Sequence, residues 1–159
     1  LARLDGLVDI WLPDLKYKGR RPGALYSGAP HYFEAASAAI RAMFAMAGPC
    51  RFDASGLMTR GVLIRHLALP WQTADSCAFL DWILSEFGQD VWVSIMNQYV
   101  PMHKASRHPE INRRLTTLEY QRVIRHARAI GLRNAYVQER SSATQDFVPV
   151  FDGSRVKSA

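Results

Sequence analysis

The run "VDIWLPDLKY", Val8 to Tyr17, is apolar apart from Asp9 until it ends in an acid, a base and a phenol. Side chains two apart in an extended segment point the same way, so Asp14 and Lys16 can present a carboxylate and an ammonium to one ligand. Pro13 is the residue able to disturb that geometry. A third charge stands inside another apolar run, "VLIRHLALP", where Arg65 shares its parity with Leu63, Leu67 and Leu69. A guanidinium among leucines must be paired or must meet an anion, because leaving it buried and unpaired is costly. Asp14 is one candidate partner and an anionic ligand is the other. Gln98 and Tyr99 close a third run at the level of Asp14, with polar tips suited either to a bound molecule or to bracing loops.

The elements that must position these groups alternate between two periodicities. Strand-like runs cover Val8–Leu12, Val62–Leu69, Val91–Met96 and Asn134–Gln138. The first three are each followed by a helical pattern: Tyr32–Ala47 stopped by Gly48-Pro49, Asp75–Phe87 stopped by Gly88, and Thr117–Ile130 stopped by Gly131. Repeated strand-to-helix units predict an α/β fold with a parallel sheet, and runs apolar on both faces predict cover on both sides. Periodicity does not decide between an open and a curled sheet. Residues 1–140 are expected to form this unit, and 141–159 a polar, loosely ordered tail.

In either version the strand-to-helix loops gather at one end, where ligands bind. Two of these connections, "DLKYKGRRPGALYSGAPH" and "NQYVPMHKASRHPEINRR", run to roughly 18 to 20 residues, where about 2 to 6 is usual. They carry Lys16, Lys18, Arg20, Arg21, Lys104, Arg107, Arg113 and Arg114, so positive charge is expected to collect over that end. Long loops of this kind serve as lids or binding surfaces, or remain as solvated charge.

Other reactive types have plainer readings. His66 has the opposite parity to Arg65 and reads as a hydrogen-bonded core histidine. His103 and His108 lack an acid at metal-binding spacing, and no metal site is expected from them. Cys50 and Cys77 are far apart and form no CxxC or CxxxCxxC pattern, so they read as reduced thiols. Met43, Met46, Met58, Met96 and Met102 read as core filling.

The chain has 159 residues, 48% hydrophobic and 21% charged, with a formal net charge of +6. That composition argues against disorder and favours anionic partners. No apolar stretch approaches the roughly 18 to 20 residues of a membrane span, and the N-terminus lacks a signal-peptide pattern. A cytoplasmic protein without membrane contact is expected. The sequence starts with Leu just before a buried strand, which reads as a piece of a longer protein.

Taken in order, "VDIWLPDLKY", "YFEAASAAI", "TRGVLIRHLALP", "VSIMNQYVP" and "EYQRVIRHARAIGLRNAYVQ" resemble the C-terminal half of radical S-adenosylmethionine proteins related to pyruvate formate-lyase activating enzyme, in the branch of uncharacterised iron-sulfur oxidoreductases. The resemblance runs from Leu7 to Gln138. It implies the last four strands of a partial (βα)6 barrel, hence a curled sheet with an unpaired edge. By resemblance, Asp14, Lys16 and Arg65 bind S-adenosylmethionine: an acid near a cation site, a lysine near the cofactor and an arginine facing its carboxylate. Gln98 and Tyr99 join that cofactor-binding set, with Tyr99 standing where the family has a histidine. No catalytic residue and no metal ligand is assigned in this chain.

The same resemblance implies a [4Fe-4S] cluster, an electron donor such as flavodoxin or ferredoxin, and hydrogen abstraction from an unknown substrate that could be a protein. The CxxxCxxC motif that binds the cluster is absent from this chain, so the chain alone is not expected to cleave the cofactor. The rival expectation from another class is a basic module that clamps RNA or an acidic protein between its two long loops, with Tyr17, Tyr26, Tyr32 and Tyr99 available for stacking. The cofactor reading leaves no role for nucleic acid.

Overall fold

The computed structural model describes residues 1–138; the tail expected at 141–159 lies outside the described residues. Its sheet contains β1 (Ile10–Trp11), β2 (Arg51–Phe52), β3 (Met58–Leu67), β4 (Trp92–Met96) and β5 (Ala135–Val137). The order β1-β3-β4-β5 is parallel throughout, and β2 pairs antiparallel with β3. Four helices accompany it: α1 (Arg20–Ser27), α2 (Tyr32–Ala47), α3 (Thr73–Phe87) and α4 (Thr117–Ala129). The α/β architecture follows the alternation of periods in the sequence, and the three longest helices fall within two residues of their expected starts and ends.

One expectation is corrected by burial. Val62, Ile64 and His66 on β3, with Val93 and Ile95 on β4, are buried against Ile40, Phe79, Ile83, Val123 and Ile124 of the helices. Alternate residues Leu63, Arg65 and Leu67, with Trp92, Ser94 and Met96, are half-buried or exposed. Among the described residues, helices therefore cover one face of the sheet and leave the other open. The reason lies in the winding: crossovers of one hand that always step in the same direction deliver every helix to the same side. Apolar runs said only that both faces avoid water, not what covers them.

Two further differences concern the stretches read as loops. "RRPGALYS" forms α1 because Pro22 lies in the first helical turn, where no N–H is needed, and Gly28 ends the helix in the left-handed conformation at φ 63°. Arg51–Phe52 was not expected as a strand. A turn follows it in which the Asp53 carboxylate accepts from the Ser55 and Leu57 backbone N–H groups, returning the chain into β3. The tight spot is Gly61, at φ 128°, where a Cβ would lie 2.7 Å from Cys50 Cα.

Beyond β3 and β4 the chain turns back at positions stabilised by side chains. Thr116 caps α4 through a reciprocal box with Glu119. Arg60 donates to the Ala47 and Met46 carbonyls at the end of α2, satisfying acceptors that the helix leaves free. Leu118, although apolar, is 59% exposed and lies outside the buried stripe of Tyr120, Val123, Ile124 and Ala127. Met102 is also exposed, unlike Met43 and Met46, which pack on the core.

Candidate functional site

Asp14 meets Arg65 on the open face. Pro13 ends β1 as a regular strand, yet the ladder continues past it: Arg65 N–H donates to the Pro13 carbonyl at 2.8 Å and Leu15 N–H to the Arg65 carbonyl at 3.0 Å. Proline is tolerated there because, among the described residues, β1 is an edge strand and its missing donor would face away from the ladder. The resulting parallel bridge between Asp14 and Arg65 keeps the register of Ile10 with Gly61. It sets Arg65 Nε 2.8 Å from Asp14 Oδ1, with both side chains more than 40% exposed. The expectation that Arg65 is buried is thus corrected. The uncovered face lets water reach the guanidinium, and its pairing is worth at most about 1 kcal/mol.

Lys16 is held on the same side by the alternation expected. Asp14 and Lys16 are exposed while Leu15 and Tyr17 between and after them are buried. The Tyr32 hydroxyl fixes this stretch, accepting from Lys16 N–H at 3.0 Å and donating to the Asp14 carbonyl at 3.0 Å. Burial pushes the Tyr32 phenol up from its ordinary value. The next residues are held by Asp75 at the start of α3, whose carboxylate accepts from the backbone N–H groups of Lys18 and Gly19. Gly19 permits that approach, since a Cβ there would lie 2.8 Å from Asp75 Oδ1.

Below this segment His66 bridges β3, the chain after β1 and α3. Its Nδ1 lies 2.8 Å from the Leu15 carbonyl, and its Nε2 lies 2.8 Å from Ser76 Oγ. A carbonyl can only accept, so Nδ1 carries the proton and the Ser76 hydroxyl donates to Nε2. Burial pushes the imidazole below its ordinary pKa and keeps it neutral. The core reading of His66 therefore holds, and its role is to seat Leu15 beneath Asp14 and Lys16.

Gln98 and Tyr99 follow β4 but stand apart from the ion pair in their contacts. Gln98 Oε1 accepts from Gln138 Nε2 at 3.4 Å, and Tyr99 donates to the Ile111 carbonyl at 3.0 Å. Burial raises the Tyr99 phenol above its ordinary pKa. Tyr99 lines two clefts at this end of the sheet. One, of about 600 Å³, lies against Thr116, Tyr120 and Gln138. The other, of about 530 Å³, is shared with Lys16, Leu67 and the 3-10 turn at His103–Arg107. Asp14, Arg65 and Gln98 line neither. Sequence spacing placed the five residues at one end, and the structure joins two as a pair and gives Lys16 and Tyr99 a common cleft.

Some of the expected surface charge is committed elsewhere. Lys18 Nζ lies 4.1 Å from the centre of the Phe33 ring. Arg113 donates to both carboxylate oxygens of Glu119, which also accepts from the Trp71 and Thr116 backbone N–H groups. These contacts hold the Glu119 carboxyl well below the usual range, the Arg113 bond being the largest cause. Glu119 thereby ties the turn after β3 to the segment after β4, a role that only its capping-box spacing from Thr116 could have signalled.

The site thus defines an α/β protein with a parallel sheet wound in one direction, one face uncovered among the described residues, and a polar cluster at the carboxyl ends of its strands. The chain is similar to the uncharacterised protein MJ0674 of Methanocaldococcus jannaschii, 30% identical over 131 residues that make up 81% of this chain and 34% of that protein. It spans about a third of the length of the curated relative it matches. No protein-family profile matches the chain, and no solved structure does.

Proposed function

We propose that the chain is the C-terminal portion of a radical S-adenosylmethionine enzyme of the activating-enzyme type, and that its sheet is the corresponding part of a partial (βα)6 barrel. The single observation that carries this reading is the Asp14–Arg65 pair at the strand ends, with Lys16 exposed two residues further along the same segment. The winding supports the barrel. A strand order of β1-β3-β4-β5 with helices on one face is the arrangement that further strands would close into a barrel, whereas an open doubly wound sheet needs a reversal of strand order.

The donor set suits the proposed cofactor. S-adenosylmethionine carries a carboxylate, an ammonium and a sulfonium, and once bound and reduced it supplies a radical that abstracts hydrogen from a substrate. Arg65 would hold the carboxylate, Asp14 would orient both the guanidinium and the cofactor's ammonium, and Lys16 would stand beside the carboxylate. Tyr99 would wall the adjoining cleft. Gln98 would brace the end of β4 through Gln138. Buried Tyr17, Leu69 and Ile111 would give that cleft an apolar floor, while exposed Lys16, Met102 and Lys104 stand at its rim.

The iron-sulfur cluster does not fit this chain. Cys50 is a half-buried thiol whose Sγ donates to the Val62 carbonyl at 3.4 Å, and burial raises its pKa. Cys77 is likewise raised by burial. Among the described residues, no group of three or more histidine, cysteine or acidic side chains could hold a metal ion. The cluster's ligands would have to come from outside these residues.

The test is to express the gene with its upstream sequence, reconstitute it anaerobically with iron and sulfide, and follow reductive release of methionine. Cleavage in the parent and its loss in Arg65→Ala would support the proposal. An upstream sequence with no cysteine triad would end it.

A further inference from the structure

We infer that the cleft between the chain after β1 and the 3-10 turn after β4 binds a small organic anion with an unsaturated or aliphatic body. This goes beyond the S-adenosylmethionine proposal and does not depend on it, although the two share Lys16 and Tyr99. The cleft's volume of about 530 Å³ falls in the range of about 300 to 1,000 Å³ typical of small-molecule sites.

Charge selects the sign of the ligand. Lys16, His103, Lys104 and His108 line the cleft, and no carboxylate does. Among the described residues neither lysine ammonium has an ion-pair partner within 4.0 Å, so both are available to an incoming anion. The nearest acid in the same loop, Glu110, faces the other way, accepting from the Tyr26 hydroxyl at 2.9 Å.

The walls select the rest. Tyr17, Tyr26 and Tyr99 contribute rings, but each hydroxyl is already engaged: Tyr17 with Ser27, Tyr26 with Glu110, and Tyr99 with the Ile111 carbonyl. Burial and the Glu110 carboxylate push Tyr26 up to about 12, so it stays a neutral donor. With their hydroxyls already hydrogen-bonded to the protein, the rings act as apolar walls, continued by Leu67, Leu69 and Ile111. Two ammonium groups over such a floor match an anionic head on an apolar body. At the rim, His103 holds φ at 49°, a left-handed conformation that a non-glycine residue adopts at a cost.

The measurement is calorimetric titration of the full-length protein with phenyl phosphate, phenylacetate and the neutral benzyl alcohol. Saturable binding of one or both anions is expected, with the alcohol at least about tenfold weaker, as befits a charge-assisted contact. The two anions distinguish a phosphate from a carboxylate head. Lys104→Gln, at an exposed position that leaves folding intact, should weaken the preferred anion by about tenfold, whereas Arg125→Gln on the far side of α4 should not. Met102→Trp, which fills the cleft from an exposed position, should abolish binding. Equal affinity for the alcohol, equal effects of Lys104→Gln and Arg125→Gln, or binding of an RNA oligonucleotide but of neither small anion would each overturn the inference. Binding of S-adenosylmethionine, read separately in the same protein, decides the other proposal without touching this one.

Discussion

Arg65 and Asp14 are joined twice, by a parallel backbone bridge and by a 2.8 Å contact between Nε and Oδ1. The backbone link survives any side-chain change, so the side chains can be altered without unravelling the strand end. Their exposure means the pair adds little to stability, and water could replace it. A pair that the fold does not need, at the end of a parallel sheet, is what makes its functional reading testable.

Arg65→Ala should lower the stability of the folded protein by less than about 1 kcal/mol, measured by urea unfolding. The same variant should lose S-adenosylmethionine binding in equilibrium dialysis. A large loss of stability would instead identify the pair as a structural clasp.

His66 should make stability depend on pH. Its folded pKa lies below the unfolded 6.5, so above 6.5 both states are neutral and no penalty exists. As pH falls below 6.5 the unfolded chain takes up a proton that the folded one resists, and stability is lost until the still lower folded value is passed. His66→Gln should be less stable than the parent at pH 8 but show a flatter urea midpoint between pH 7 and 5. An unchanged slope would contradict the buried neutral assignment.

Asp75→Ala should cost about 1 to 3 kcal/mol, because it leaves the Lys18 and Gly19 N–H groups without their acceptor in a part-buried place. Faster amide exchange at Lys18 and Gly19, with α4 unaffected, would locate the effect in the segment that carries Lys16.

Glu119→Ala removes a helix cap and the Arg113 bond together, and a loss of about 2 kcal/mol is expected. Because the folded carboxyl titrates below its ordinary 4.5, this contribution is present above pH 4.5 and fades as pH falls through the lower folded value. The difference between parent and variant should therefore shrink in acid. Thermal unfolding at pH 7 and pH 3 checks it.

The spacing of apolar residues was sufficient to locate α2, α3 and α4, because each buries one stripe against a single layer and its ends carry capping or stop residues. Period-two alternation likewise placed Asp14 and Lys16 together and turned His66 inward. The short elements were less legible. α1 hides behind Pro22 and Gly23, which read as a loop unless the proline is known to sit in a first turn, and β2 is two residues whose pairing depends on β3 being close.

Local chemistry thus determined which segments become helices and strands, and which polar side chains emerge at strand ends. Only the tertiary structure decided that the helices among the described residues all cover one face of the sheet, that Arg65 is solvated and paired with Asp14, and that Lys16 and Lys104, 88 positions apart in the sequence, border one cleft. The reason is physical: periodicity records whether a side chain avoids water, whereas the identity of its neighbour depends on strand order and crossover direction, which contacts distant in sequence select together.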